Sequence, residues 1–232
     1  MERDFLRKKL FLFDIDGTLL SPGPVSRRTL DRVIADLLGQ SPDLQYEDVA
    51  GSTDPIIVQR ALRKIGVDSG EFNEWTSKVI TEYLKRLPAV FDEADEPFVY
   101  DDALILLASI LEQDNAVGVM SGNMQAAAEI KLAKFDLLQK FPFGIYADET
   151  DDRSAMPIIA RERAWDVYHE AFRLADMIII GDTDADAKAA ADNGCKSIIV
   201  SRRKETWLKA EAAGASLVVS SLADVDLESF LS

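Results

Sequence analysis

The apolar positions of the chain fall into two rhythms. Short unbroken runs at Leu10–Phe13, Ala116–Met120, Phe143–Ala147, Met177–Ile180, Ser197–Val200 and Leu217–Val219 have the length and the flanking turn signals of strands buried on both faces. Between them, apolar residues recur at helical spacing. The spacing predicts helices over Asp102–Glu112, Gln125–Phe135, Met156–Leu174, Ala185–Asn193, Glu205–Ala213 and Leu222–Leu231. Strands alternating with helices imply right-handed crossovers and a parallel sheet. The first strand is different, because an all-helical stretch follows it. Ser26 is placed to cap a helix whose stripe is Leu30, Val33, Ile34, Leu37 and Leu38, with Gly39 as its stop. Residues 40–53 read as irregular. Asp54-Pro55 reads as an N-cap with proline in the first turn of a helix that closes at Gly66. A third helix, Glu71–Leu87, carries Phe72, Trp75, Val79, Ile80, Tyr83, Leu84 and Leu87 on one face, and an acidic linker, residues 92–97, follows.

Three strand ends carry polar groups suited to chemistry. The first strand runs into Asp14-Ile15-Asp16-Gly17-Thr18. Paired carboxylates where an open α/β sheet binds ligands suit a nucleophile beside an acid/base, or two ligands of a hard cation; a turn capped by Asp and Gly is the plainer alternative. Strand Ala116–Met120 ends in Ser121-Gly122-Asn123, a hydroxyl and backbone amides ahead of a helix, which make either an anion site or an ordinary turn. Strand Met177–Ile180 ends in Gly181-Asp182-Thr183-Asp184-Ala185-Asp186. Two separated strand ends with clustered carboxylates are hard to explain as turns. Their all-oxygen donor set suits Mg²⁺, and one His with one Cys leaves little for a zinc site.

Composition narrows the picture further. The chain has 232 residues, 47% hydrophobic and 29% charged, enough for a large domain or two small ones. Its net charge of −15 argues against nucleic-acid binding, and requires any phosphate site to be locally positive. No apolar run approaches a membrane span, and Met1–Asp4 lack a signal-peptide pattern. The single cysteine, Cys195, fits a reducing cytoplasm; it reads as a small buried residue, and His169 as a helix-surface residue. The three tryptophans belong to separate helices and do not form a base-stacking set.

The sequence around Asp14-x-Asp16-Gly17-Thr18 resembles the first motif of the haloacid dehalogenase-like (HAD) hydrolases. Ser121 is similar to their second motif and Gly181-Asp182-x-x-x-Asp186 to their fourth. The resemblance implies a Rossmann-like α/β core of residues 1–20 and 92–232, with residues 21–91 as an α-helical cap. It implies that Asp14 is the nucleophile, that Asp16 is the acid/base, and that Asp14, the Asp16 carbonyl and Asp182 bind Mg²⁺. Asp186 supports the site; Asp184 has no motif counterpart and reads as a helix-start acid. Ser121, Gly122 and Asn123 would bind phosphate. The third motif is a Lys or Arg; Arg153 has the matching position, whereas Arg161 and Arg163 read as solvent-facing and Lys131 as structural. Gly51-Ser52-Thr53-Asp54 resembles the Gly-Arg-Thr-Asp cap motif of a phosphoglycolate phosphatase-like branch. Ser52 replaces the Arg, which removes a positive group and argues against phosphoglycolate. The expected activity is Mg²⁺-dependent hydrolysis of a small phosphorylated metabolite. The alternatives are a phosphomutase, or a non-enzymatic interaction protein, of the same fold.

Overall fold

A computed structural model of the protein describes residues 8–202 and 204–232. The first residues, on which the reading of the N-terminus rests, lie outside them. The elements in chain order are β1 (Leu10–Phe13), β2 (Leu20–Ser21), α1 (Val25–Leu38), α2 (Tyr46–Val49), α3 (Asp54–Lys64), α4 (Phe72–Glu93), β3 (Phe98–Val99) and α5 (Asp101–Glu112). There follow β4 (Ala116–Met120), α6 (Gln125–Ala133), β5 (Gly144–Ile145), α7 (Met156–Tyr168), β6 (Met177–Gly181), α8 (Asp184–Asn193), β7 (Lys196–Val200), α9 (Lys204–Ala212), β8 (Leu217–Val219) and α10 (Leu227–Leu231).

Six strands form one sheet in the order β5-β4-β1-β6-β7-β8, and every neighbouring pair is parallel. The sheet is the α/β core expected from the alternating pattern. β1 is interior: Leu10 pairs with Ala116 on one side and Met177 on the other. Alternate residues of a strand face opposite ways, and both faces here are covered. Phe11 and Phe13 pack with Leu106, Ile110 and Leu132 on one face; Leu10 and Leu12 pack with Met156, Ala160 and Ala189 on the other. That is why β1 has no polar alternation. Helices α1, α3 and α4 form a separate apolar cluster of their own, built on Val33, Ile34, Val58, Leu62, Val79 and Leu87, which reaches the sheet-flanking helices through Ala127 of α6.

Several elements differ from the sequence expectation for local reasons. α4 continues to Glu93 through Pro88, so Asp92 and Glu93 of the expected linker are helical. Phe91 at its end is fully buried, and packing outweighs the proline. α7 stops at Tyr168, because His169 takes a left-handed C-cap conformation with φ 53°; the run on to Leu174 is instead a loop and a short 3₁₀ turn. His169 is exposed, but as the cap. The final helix is split by Val225 into a 3₁₀ turn and α10. Ser26 and Asp54 lie inside their helices, behind Pro24 and Thr53 as N-caps. The two-residue strands β2 and β3 pair antiparallel, too short to leave a pattern.

Candidate active site

The carboxyl ends of β1, β4 and β6 meet beneath the helices that follow β1, around a cavity of about 460 Å³. Asp14 extends β1 by one residue and its amide donates to the Ile180 carbonyl at 2.8 Å. The chain then folds into a tight turn in which the Leu19 and Leu20 amides return to the Ile15 carbonyl. Gly17 makes the turn possible. Its φ is +87°, and a Cβ there would lie 2.2 Å from Asp182 Oδ2, so the turn and the β6 carboxylate approach each other only over a glycine.

Asp14 and Asp16 are each held by one oxygen. Asp14 is 5% exposed, and its Oδ1 receives Arg153 Nη2 at 2.9 Å. Asp16 Oδ2 accepts Lys131 Nζ at 2.5 Å and Asn123 Nδ2 at 3.1 Å. Asp16 Oδ1 is buried and has no partner among the described residues. Ser121 is fully buried at the end of β4. Its Oγ accepts from Asn123 Nδ2 at 2.8 Å, which leaves its proton to donate into the cavity.

Arg153 precedes α7 in a 3₁₀ turn. Its Nε and Nη2 grip Asp186 Oδ1 at 2.9 and 2.5 Å. Asp186 Oδ2 accepts the Thr183 amide and hydroxyl at 3.1 and 2.7 Å, closing a capping box on α8. Both oxygens of Asp186 are therefore committed, and it fixes the guanidinium that reaches Asp14. Asp184 sits in the first turn of α8 and is exposed.

The oxygens of Asp14, Asp182 and Asp186 converge within 4.8 Å. Asp182 has no hydrogen bond or ion pair among the described residues. Desolvation, followed by the charges of Asp14 and Asp186, pushes its carboxyl well above the usual range. Burial pushes Asp14 up to about 7, although Arg153 pulls against it. An unpartnered carboxylate beside two others, all oxygen donors, fits a hard divalent cation: Asp14 and Asp182 would hold it, and Asp186, already spent, would not. Desolvation likewise lifts Asp54 to about 6, against the pull of Lys131.

These raised carboxyls make stability depend on pH and metal. Unfolded, the same groups titrate near about 4. Between about pH 4 and 7 the folded chain thus binds more protons than the unfolded one, and stability falls as pH rises. Asp176, held by Arg173 and Lys9 at about 2, has the opposite sign, but its contribution is lost only below that window. In chelator the Tm is expected to be highest near pH 5 and to decline towards pH 8. A divalent cation is expected to raise it more at pH 8 than at pH 5, where protons compete for the same oxygens. A Tm that climbs from pH 5 to 8 in chelator would contradict the carboxylate cluster.

Lys131, Arg27, Tyr83 and Arg202 are among the cavity-lining side chains that were not anticipated. Lys131, read as structural, is 1% exposed and joins Asp16 to Asn123 Oδ1 at 2.5 Å. Arg27 lines the cavity from α1. The loop Gly51–Asp54 closes over the turns: the Asp54 amide donates to the Gly122 carbonyl at 2.7 Å, and Asp54 Oδ2 accepts the Met124 amide at 2.7 Å. A Cβ on Gly122 would lie 2.6 Å from the Ser52 carbonyl oxygen, so glycine is needed for this approach. Ser52 Oγ accepts from Arg60 Nη1 at 2.6 Å.

A parallel sheet whose strand ends carry acidic turns is an open α/β architecture with its candidate site at the carboxyl edge of the sheet. The family model of the haloacid dehalogenase-like hydrolases matches residues 8–194, and the chain belongs to that family, as its motifs led us to expect. No curated protein sequence matches the chain. Among solved structures, CbbY from Rhodobacter sphaeroides in complex with phosphate superposes with a TM-score of 0.70 at 18% identity, over 95% of this chain and 97% of that one. A predicted phosphatase from Clostridium acetobutylicum gives 0.66 at 20% identity, over 91% and 93%. A predicted phosphoglycolate phosphatase from Haemophilus somnus gives 0.67 at 15% identity, over 94% and 96%. At these identities the likeness is one of fold. Among the described residues, no helix is long and apolar enough to cross a membrane.

Proposed function

We propose that the protein is a Mg²⁺-dependent phosphatase that hydrolyses a small phosphomonoester through an aspartyl-phosphate, with residues 21–91 acting as a cap over the site. The observation that carries this reading is the division of labour between oxygens. Asp14 Oδ1 is fixed by Arg153, which leaves Oδ2 to attack phosphorus. Asp16 Oδ2 is fixed by Lys131 and Asn123, which leaves Oδ1 to carry a proton.

In the first step Asp14 Oδ2 bonds to phosphorus, the P–O bond to the alcohol breaks, and Asp16 Oδ1 gives that oxygen a proton. In the second step Asp16 takes a proton from water, the hydroxyl oxygen bonds to phosphorus, and the acyl phosphate bond breaks to restore Asp14. Splitting one displacement into two lowers each barrier, and a placed proton carrier adds about 10²–10⁴-fold. Ser121, the amides of the Asp16–Gly17 turn and Arg153 supply donors for the phosphoryl oxygens, where positioning and electrostatics do most of the catalysis. Mg²⁺ held by Asp14, the Asp16 carbonyl and Asp182 would neutralise the charge that otherwise sets carboxylate against phosphate.

The test is phosphate release from p-nitrophenyl phosphate and a panel of phosphorylated metabolites, with Mg²⁺ and with chelator. Release with Mg²⁺ that stops in chelator is expected. No release from any compound would overturn the reading, and transfer of the phosphoryl group to a sugar instead of water would make the protein a phosphomutase.

A further inference from the structure

The connections between the sheet and residues 21–91 cross side by side. The chain leaves through β2 and returns through β3, and Leu20 pairs with Val99. Just before β2 lies the turn that carries Asp16. Just after β3 lies Tyr100, whose amide donates to the Leu19 carbonyl at 3.0 Å. A side chain from a third segment reaches both. Arg202 stands just past the carboxyl end of β7, with β6 between that strand and β1. Its Nε donates to the Gly17 carbonyl at 3.2 Å, and its guanidinium lies 3.5 Å from the centre of the Tyr100 ring. The Gly17 carbonyl has no other donor among the described residues.

Arg202 is itself held. Its Nη1 and Nη2 donate to the two oxygens of Asp102 at 3.2 and 2.9 Å, a fork that a guanidinium offers and an ammonium does not. The Tyr100 ring beneath adds a cation–π attraction. Asp102, in the first turn of α5, also accepts Ser221 Oγ at 3.1 Å and the Leu222 amide at 2.9 Å. Burial raises the Asp102 carboxyl, but Arg202 and the Leu222 amide outweigh it and hold it below the usual carboxylate range. Each nitrogen of the guanidinium thus has a protein acceptor. Arg202 lines the cavity, but it is placed to hold the wall rather than to meet a ligand.

We infer that Arg202 is a positioning residue for Asp16. Clamped by Asp102 and Tyr100, it fixes the Gly17 carbonyl, and with it the turn on which the proton carrier stands. The turn needs such a hold. A glycine at φ +87° gives up more conformational freedom on folding than any other residue, and a reacting group misplaced by about 1 Å can cost about 10²-fold in rate. Lys131 and Asn123 hold the Asp16 side chain from one side; Arg202 holds its backbone from the other. The effect on rate rests on the phosphatase reading, but the effect on the turn does not.

Two kinds of ester separate positioning from folding. The p-nitrophenolate of p-nitrophenyl phosphate leaves without an acid, whereas the alkoxide of an alkyl phosphate needs the proton that Asp16 carries. Arg202→Gln is expected to lower kcat/KM about tenfold or more for the best alkyl ester of the panel, and about threefold or less for p-nitrophenyl phosphate. Arg202→Lys keeps the charge but cannot fork across Asp102 while holding the Gly17 carbonyl, and is expected to recover only part of the loss. The Arg202 side chain is 26% exposed, so the Tm is expected to move by no more than about 4 °C. Amide hydrogen exchange reads the turn without substrate. Residues 14–20 are expected to exchange about tenfold faster in Arg202→Gln, with β4 and α6 unchanged. An equal loss for both esters, or exchange at residues 14–20 that the substitution leaves unchanged, would overturn the inference. A wild-type protein that hydrolyses no compound would overturn the phosphatase reading alone, because the exchange would still decide whether Arg202 holds the turn.

Discussion

Asp14→Asn is expected to lower turnover by about 10⁴–10⁶-fold, the range seen when a nucleophile that works as part of a unit is removed, and to leave the metal-free protein at pH 7 at least as stable as the parent. The two effects share one cause. Asp14 is buried among Asp16, Asp182 and Asp186, and its carboxyl is pushed up to about 7 by that burial. Asparagine has nearly the same shape and removes the charge. Arg153 loses one carboxylate but keeps its two-point grip on Asp186, so no guanidinium is stranded. In the proposed mechanism, activity rests on a group that the fold would be better off without, a familiar trade between activity and stability. Phosphate release and melting curves with and without Mg²⁺ check both halves. The variant is expected to lose most of the stabilisation by metal, since one of the proposed ligands is gone. Turnover above about one per cent of wild type, far outside the range for a lost nucleophile, would show that Asp14 does not attack phosphorus.

Lys131→Met is expected to cost about 3 kcal/mol of stability, the low end for breaking a buried ion pair, and about 10²-fold or more in kcat. Methionine keeps most of the aliphatic volume but leaves Asp16 and Asn123 Oδ1 without their cation. The low end is appropriate because the Asp16 side chain is 33% exposed to the cavity, where water can replace part of what is lost. The loss of rate follows from Asp16 Oδ1, whose direction depends on Lys131 holding Oδ2. Urea denaturation measures the first effect and steady-state kinetics the second. The double variant Lys131→Met/Asp16→Asn is expected to recover more than half of the stability and none of the rate. A single variant within twofold of wild type in kcat and within about 0.5 kcal/mol in stability, the scatter of ordinary surface changes, would show that the pair does not position Asp16.

The strands and the acidic turns were legible because apolar runs and carboxylate spacing are local signals. Arg153 was readable only by its place before α7; its grip on Asp186, which lies on another element, was not. Lys131 did leave a trace. It shares the buried stripe of α6 with Ala127, Ala128 and Leu132, and a charge on an apolar face asks for a buried partner. Arg27 left none, since a helix start shows no periodicity and its neighbour Arg28 is equally basic but exposed. The stop of α7 was missed for a related reason. A histidine took the left-handed cap that glycine usually marks.

The interior position of β1 also governs how the protein is made. Its partners on either side begin at Ala116 and Met177, so a strand that leaves the ribosome early waits on the order of ten seconds or more of synthesis for its second neighbour. The helices from α1 to α4 make their cluster almost entirely among themselves and need not wait. The nascent chain therefore carries a helical cluster ahead of an unfinished sheet, with Leu10–Phe13 still lacking its strand partners. Pairings of such long sequence separation fold slowly. Holdase chaperones that cover exposed apolar strands during synthesis are accordingly expected to govern the yield of active protein more than the stability of the finished fold does.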